Sequence, residues 1–132
     1  MKRLVAVLPR VAIAGCLVGT GYIHAYLYSH GYRVVPVVGP AFLLQGAGSF
    51  AVAILLLIGN PVVARLGAAG LCVGALGGFL ASRTTGIAGF TERGLNPAPQ
   101  AVLSLLFELV ALALLAAPPI RRVLASRHRS PV

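Results

Sequence analysis

The chain has 132 residues, of which 58% are hydrophobic and only 10% are charged, and its mean hydropathy is +0.93. A soluble domain of this size buries only about 60 to 70% of the surface that its unfolded chain exposes, so this composition excludes an ordinary water-soluble domain. The formal charge of +9 would suit a nucleic-acid binder, but no basic stripe alternates with stacking aromatic residues, and no nucleic-acid partner is expected.

Four apolar segments follow one another along the chain and determine the predicted fold. They cover residues 11–28, 41–59, 66–82 and 98–117. As a helix, each can cross a hydrocarbon core about 30 Å thick. Prolines fall at the segment ends, where a missing N–H costs little. The sequence therefore predicts an all-α membrane protein, a single four-transmembrane-helix bundle over residues 1–132 with two structured outer loops, surrounded by a lipid bilayer.

Basic residues are divided unequally between the two sides that this topology creates. The larger group is Lys2, Arg3, Arg10, Arg65, Arg121, Arg122, Arg127 and Arg129, and the smaller group is Arg33, Arg83 and Arg93. The positive-inside rule then places both termini in the cytoplasm and the protein in the cell (plasma) membrane. The basic tail, residues 120–132, is expected to attract anionic lipid.

The beginning of the first segment resembles a lipoprotein signal, because a basic start leads to IAGC with Cys16 as the residue to be modified. However, Arg10 interrupts the apolar run, and the sequence after Cys16 stays apolar. An uncleaved first helix is therefore favoured. Cys16 and Cys72 are predicted to be small packed residues, since two thiols cannot complete a structural zinc site.

Aromatic and small residues form two further patterns, mainly in the first and third segments. The tyrosines Tyr22, Tyr26, Tyr28 and Tyr32, with Phe42 and Phe90 nearby, are typical of an interfacial aromatic belt. Small residues recur every fourth position at Gly70, Gly74, Gly78 and Ser82, and again at Gly15 and Gly19. Such residues allow close helix packing in lipid, either within the bundle or at a dimerisation face.

The loop after the third segment, RTTGIAGFTERGLNP, is the most polar stretch outside the termini. Loops held by a rigid scaffold often carry binding residues. The candidates for contact with a partner are Arg83, Thr84, Glu92 and Arg93. The alternative is a simple connection in which Arg83 and Glu92 form a weak, exposed ion pair.

Glu108 is one of only two acidic residues and lies in the middle of the fourth segment. At about 1.5 Å per residue it is roughly 15 Å deep, where an ionised carboxylate must face protein, pair with a cation or take up a proton. Polar pairs four residues apart occur at matching depth on three helices: Thr20 with His24, Gln45 with Ser49, and Ser104 with Glu108. They predict either one functional pocket or a set of interhelical hydrogen bonds. No metal site is expected, because His24 and Glu108 alone leave a coordination shell short.

Four stretches, GYIHAYLYSHGYR, GPAFLLQ, LASRTTGIAGFTE and SLLFELV, resemble a type of uncharacterised small four-helix membrane protein common in actinobacteria. The resemblance implies the same architecture, and it implies a shared face for six residues: His24, Gln45, Ser82, Arg83, Thr84 and Gly86. It implies no activity. A looser likeness to DoxX-like proteins depends on architecture alone.

Three functions are compatible with these features. The favoured one is a non-catalytic accessory or structural subunit that binds other membrane protein subunits. The alternative is a small proton-linked carrier or ligand-binding bundle centred on Glu108. A further alternative is an accessory to a quinone or haem redox enzyme through His24, although a haem would often want a second axial ligand. No nucleophile elbow, phosphate loop or carboxylate pair is present, so an enzyme is less favoured and no cofactor is expected.

Overall fold

The described part of the chain is all-helical, as predicted. The computed structural model describes the backbone of residues 2–59 and 61–127 and the side chains of residues 7–59 and 62–117. Its four helices are α1 (Lys2–Ser29), α2 (Val38–Ile58), α3 (Pro61–Arg83) and α4 (Gln100–Arg127). A single 3-10 turn, Tyr32–Val34, lies between α1 and α2. Within these ranges the only β-type pairing is an isolated bridge between Ile87 and Phe90.

Each helix contains a stretch that is long and apolar enough to cross a bilayer. The stretches are Val7–Ser29, Val38–Ile58, Val62–Arg83 and Gln100–Ala117. The chain is therefore a multi-pass integral membrane protein. Neighbouring helices are antiparallel, so the α1–α2 and α3–α4 connections share one end of the bundle, here called the loop end. The α2–α3 connection lies at the opposite end, called the terminal end.

At the terminal end, α1 and α4 extend beyond the predicted segments. Helix α1 includes Pro9, and α4 continues through Pro118 and Pro119. Because Pro119 has no N–H, it cannot bond the carbonyl of Leu115, four residues earlier. Arg65 Nη2 donates to that carbonyl instead, at 2.8 Å. The side chains of the basic tail, and residues 128–132 altogether, lie outside the described residues.

Arg10 on α1 donates hydrogen bonds to the C-terminal end of α2 in the same region. Its Nε donates to the carbonyl of Leu56 at 2.9 Å, and its Nη2 donates to the carbonyl of Leu57 at 3.3 Å. The last carbonyls of a helix have no partner within the helix. The arginine that interrupts the first apolar segment therefore provides donors for the C-terminal turn of α2.

The closest helix approach is between α1 and α2, at two glycines that the packing prediction did not include. A Cβ on Gly21 would lie 3.0 Å from Ser49 Cβ and 3.3 Å from the carbonyl oxygen of Gly46. A Cβ on Gly46 would in turn lie 3.3 Å from the Gly21 carbonyl oxygen and 3.4 Å from the amide nitrogen of Ala25. The missing side chains of these two glycines allow the two backbones to approach this closely.

The glycines that were expected to pack are arranged differently. Gly19 lies against the ring of Phe107, which an added Cβ would meet at 2.7 Å. The remaining four have no described atom within 4 Å of such a Cβ: Gly15, Gly70, Gly74 and Gly78. Within the described residues these four do not form a tight helix contact, because their small size opens space instead of closing it.

The two halves of the bundle differ in packing. The half near the terminal end is filled by an apolar core that includes Ile13, Leu17, Leu56, Cys72 and Ala111, all of them fully buried. Cys16 packs against this core, so both cysteines are small packed residues, as expected. The half near the loop end contains the polar residues and an open cavity.

Candidate functional site

Glu108 lies at the centre of a hydrogen-bonded group that joins α1 and α4. Its side chain is only 2% exposed. Oε1 accepts hydrogen bonds from Thr20 Oγ1 at 2.8 Å and from Ser104 Oγ at 2.6 Å. No described residue donates a hydrogen bond to Oε2. One carboxylate oxygen is therefore bonded within the protein, while the other remains available for a different partner.

His24 extends this group by one helical turn toward the loop end. Its Nδ1 lies 2.9 Å from the carbonyl oxygen of Thr20 and 3.3 Å from the Thr20 hydroxyl. Because a carbonyl oxygen only accepts hydrogen bonds, Nδ1 must carry the proton. In the neutral ring Nε2 is then an acceptor, and no described residue bonds to it. The ring is also held edge-on against Phe42, with centroids 5.0 Å apart.

Four of the six predicted cluster residues therefore form one network: Thr20, His24, Ser104 and Glu108. Gln45 and Ser49 on α2 do not join it. Gln45 Nε2 donates to the carbonyl of Leu71 on α3 at 3.2 Å. Ser49 Oγ is buried and has no hydrogen-bond partner among the described residues, because Ser49 lies against Gly21 at the close helix crossing.

A cavity of about 390 Å³ opens beside this network, toward the loop end. His24, Gln45, Ser104 and Glu108 line it together with apolar side chains from all four helices. Its apolar lining includes Leu27, Phe42, Leu71, Phe79, Phe90 and Leu105. Gly70, Gly74 and Gly78 line the same cavity, so the glycine pattern of α3 makes room here. A mostly apolar cavity with a few convergent polar groups is typical of a small-molecule site.

An ion pair between Arg83 and Glu92 lies at the loop end of the cavity. Arg83 Nη1 is 3.1 Å from Glu92 Oε2, and the two side chains are only 13% and 15% exposed. The alternative interpretation of this loop described the pair as exposed, whereas the pair is mostly buried. Arg83 is enclosed because it also donates to Ser82 Oγ at 2.6 Å and to the carbonyl of Gly94 at 2.8 Å, while its guanidinium covers the ring of Phe79.

Tyr32 connects this ion pair to the α1–α2 connection. Its hydroxyl donates to Glu92 Oε1, and its ring stacks on Phe42 at 4.8 Å and meets Phe90 edge-on at 5.9 Å. Burial, together with the hydrogen bond and the negative charge of Glu92, raises the pKa of Tyr32. The phenol therefore remains a neutral donor at physiological pH.

This arrangement corrects the predicted aromatic belt. Tyr22 and Tyr26 are exposed, at 64% and 37%, as a belt requires. Tyr32, with Phe42 and Phe90, instead forms an inward stack at the cavity, because Glu92 offers an acceptor for the phenol. The sequence reasoning did not identify Tyr32 as a site residue. The sequence indicated only that Tyr32 carries a hydroxyl and lies in the connection that contains Gly31 and Gly39.

The other two loop candidates lie away from the cavity lining. Thr84 is exposed, and its hydroxyl donates to the carbonyl of Leu80 at 2.8 Å. Arg93 is exposed as well. Among the described residues no group of three or more His, Cys, Asp or Glu side chains is placed to hold a metal ion.

Comparison with known proteins gives no relative. No protein-family model, curated protein or solved structure matches the chain.

Proposed function

We propose that this protein is a membrane bundle that binds a small, mostly apolar molecule in the cavity near its loop end, with Glu108 as the polar contact. The proposal is based on the Glu108 carboxylate, of which only one oxygen accepts hydrogen bonds from described residues. Two hydroxyls hold Oε1, while Oε2 has no donor among the described residues and Glu108 lines the cavity. Interhelical adhesion alone needs no carboxylate, since an amide would accept the same two hydrogen bonds at lower desolvation cost.

A pair of glycine variants tests the cavity. Gly78 lines it, and a Cβ added at Gly78 would meet no described atom within 4 Å. Gly77 has equally open surroundings but does not line the cavity, so Gly77→Leu is the matched control. Three probes with one compact apolar cage and different head groups are titrated calorimetrically into the protein in nanodiscs: 1-adamantylamine, 1-adamantanol and adamantane-1-carboxylate.

We expect at least one probe to bind the wild type and Gly77→Leu, and to bind Gly78→Leu at least about tenfold more weakly. Empty nanodiscs give the correction for partition into lipid. If no probe distinguishes the two leucine variants while both melt like the wild type, the cavity is not a binding site and the proposal is wrong.

An accessory role in a larger membrane complex is a second proposal. Helix α3 has the smallest buried share of the four spans, and Gly74 and Gly77 are exposed on it. These small residues would let a helix of another subunit, or of a second copy, approach closely. Purification in mild detergent tests this role, because a stoichiometric membrane partner that is lost with Gly77→Leu supports it. The redox role through His24 is tested by a visible spectrum of the purified protein.

The orientation in the membrane and the resemblance to actinobacterial four-helix proteins also stay proposals. We propose that the loop end faces the outside of the cell membrane and that the basic tail contacts anionic lipid, because most basic residues belong to the terminal end. Protease accessibility of the two ends in intact cells tests the orientation.

A further inference from the structure

The cavity presents one acceptor atom each from α1, α2 and α4 when Glu108 is ionised. His24 Nδ1 donates to the Thr20 carbonyl, which leaves Nε2 as an acceptor. Gln45 Nε2 donates one N–H to the Leu71 carbonyl, and its Oε1 is an acceptor without a described partner. Both hydroxyls near Glu108 donate to Oε1, which leaves Oε2 as an acceptor in the ionised carboxylate. A ligand that satisfies these atoms has to bring hydrogen-bond donors.

The charge of the Glu108 carboxyl group further limits the chemical class of the ligand. The carboxyl group of Glu108 is buried near the middle of a membrane span, about 12 Å along α4 from Gln100. A charge at that depth requires a counter-charge or a proton. The only described ion pair joins Arg83 to Glu92, so no described residue supplies a cation to Glu108. Oε2 therefore holds a proton or faces a cationic ligand.

Cavity-lining residues on α2 and α3 also reach the outer surface of the bundle. Leu44, which lines the cavity, is 71% exposed, and the lining glycines Gly70 and Gly74 are exposed too. In a bilayer this surface faces acyl chains. This surface is the route by which an apolar body would enter from the membrane, away from the Arg83–Glu92 pair.

We infer that the ligand is an apolar primary or secondary amine, bound as its ammonium ion with an N–H donated to Glu108 Oε2, and that its binding displaces one proton. This inference rests on the proposed function of the cavity. The step is R–NH₃⁺ plus HOOC–Glu108 giving the R–NH₃⁺···⁻OOC–Glu108 pair plus one H⁺, which leaves to water at the loop end. No bond to carbon changes, and no electron transfer is involved.

Other titratable groups near Glu108 are few. Helix α1 presents His24, α3 presents the thiol of Cys72, and α2 contains no titratable residue. Arg83 and Glu92 line the cavity at its loop end, where each compensates the charge of the other. An ammonium ion therefore meets one uncompensated acidic group, Glu108.

The three adamantane probes test the inference. We expect 1-adamantylamine to bind about tenfold or more tightly than 1-adamantanol, and adamantane-1-carboxylate not to bind, since charge-assisted hydrogen bonds are about twice as strong as neutral ones. Titrations in two buffers of different ionisation enthalpy should give about one proton released per amine. Affinity for the amine should rise by up to about tenfold per pH unit, as one linked proton requires.

Carbodiimide labelling adds a measurement that needs no variant. The reagent adds to a protonated carboxyl group and forms a stable acyl urea, so mass spectrometry reports the label at Glu108. We expect 1-adamantylamine to slow this labelling at least about fivefold, and adamantane-1-carboxylate to leave it unchanged. Glu108→Gln should lose amine binding while Gly77→Leu retains it.

The outcomes separate the two proposals. If the alcohol or the carboxylate binds in a way that Gly78→Leu abolishes, and the amine is not preferred, the cavity function stands and the amine inference is overturned. Amine binding without proton release, or unchanged in Glu108→Gln, overturns it as well. If none of the probes binds to the folded wild type, both proposals are wrong.

Discussion

Arg65 on α3 donates a hydrogen bond of 2.8 Å to the carbonyl of Leu115 on α4. That carbonyl lacks an intrahelical partner because residue 119 is a proline. We expect Arg65→Leu to lower the free energy of unfolding by about 1 to 3 kcal/mol, as loss of a charged donor to a partly buried acceptor predicts. Pro119→Ala should restore about 1 kcal/mol in the Arg65→Leu background, since an N–H returns to the helix. Thermal unfolding in detergent measures both, and an equal effect of Pro119→Ala in the two backgrounds argues against the link.

The hydroxyl of Thr20 on α1 lies within hydrogen-bonding distance of both His24 and Glu108. Thr20→Val keeps the side-chain shape and removes the hydroxyl, so it should destabilise the bundle by roughly 1 kcal/mol. Thr20→Ser retains the hydroxyl and should cost less than half as much. Ser104→Ala should have a smaller effect than Thr20→Val, because the Ser104 hydrogen bond joins two residues of α4 whereas the Thr20 hydrogen bond joins α1 to α4. The reverse order of the two effects contradicts this view of the network.

The crossing of α1 and α2 has no room for a side chain at Gly21. Gly21→Val should lower the free energy of unfolding by about 1 to 3 kcal/mol, because Ser49 and the Gly46 backbone lie within 3.3 Å of the new Cβ. Gly15→Val is the matched control on the same helix, since no described atom lies within 4 Å of its Cβ. Similar melting temperatures for the two variants would show that the close crossing is absent.

Tyr32 predicts a pH dependence at the alkaline end. Burial and Glu92 raise its pKa in the folded protein. The contribution of the phenol to the free energy of unfolding is therefore complete below about pH 10, the pKa of an unfolded tyrosine. It is lost as the pH rises further. Tyr32→Phe keeps the stack on Phe42 and Phe90 but removes the phenol. The variant should be less stable by about 1 kcal/mol at neutral pH, and its melting temperature should fall less than that of the wild type between pH 9 and 11.

The parts of the fold and of the site that are determined within a single helix could be predicted from the sequence. The four helices follow from the length of the apolar runs, and the contact of Ser104 with Glu108 follows from their four-residue spacing. Thr20 could be placed by depth along α1. These properties are local to one helix or require only its direction through the membrane.

The rotation of each helix about its axis could not be predicted. Depth along α2 placed Gln45 and Ser49 level with the network, yet Gln45 bonds to Leu71 and Ser49 faces Gly21. That rotation is set by the contact of Gly21 with Gly46, whose signal is the absence of side chains. Tyr32 and Glu92 are 60 residues apart, so their contact depends on how two connections fold toward each other over the bundle.

The network at Glu108 joins two helices that lie far apart in the chain, α1 and α4. Thr20 and Glu108 are separated by 88 positions, so during translation the hydroxyl of Thr20 and the ring of His24 enter the membrane before their partner has been made. Until α4 is inserted, the Thr20 hydroxyl has no carboxylate to bond, so a chain that stops before residue 108 cannot complete the network. Assembly of the polar network therefore waits for the helix that carries Glu108.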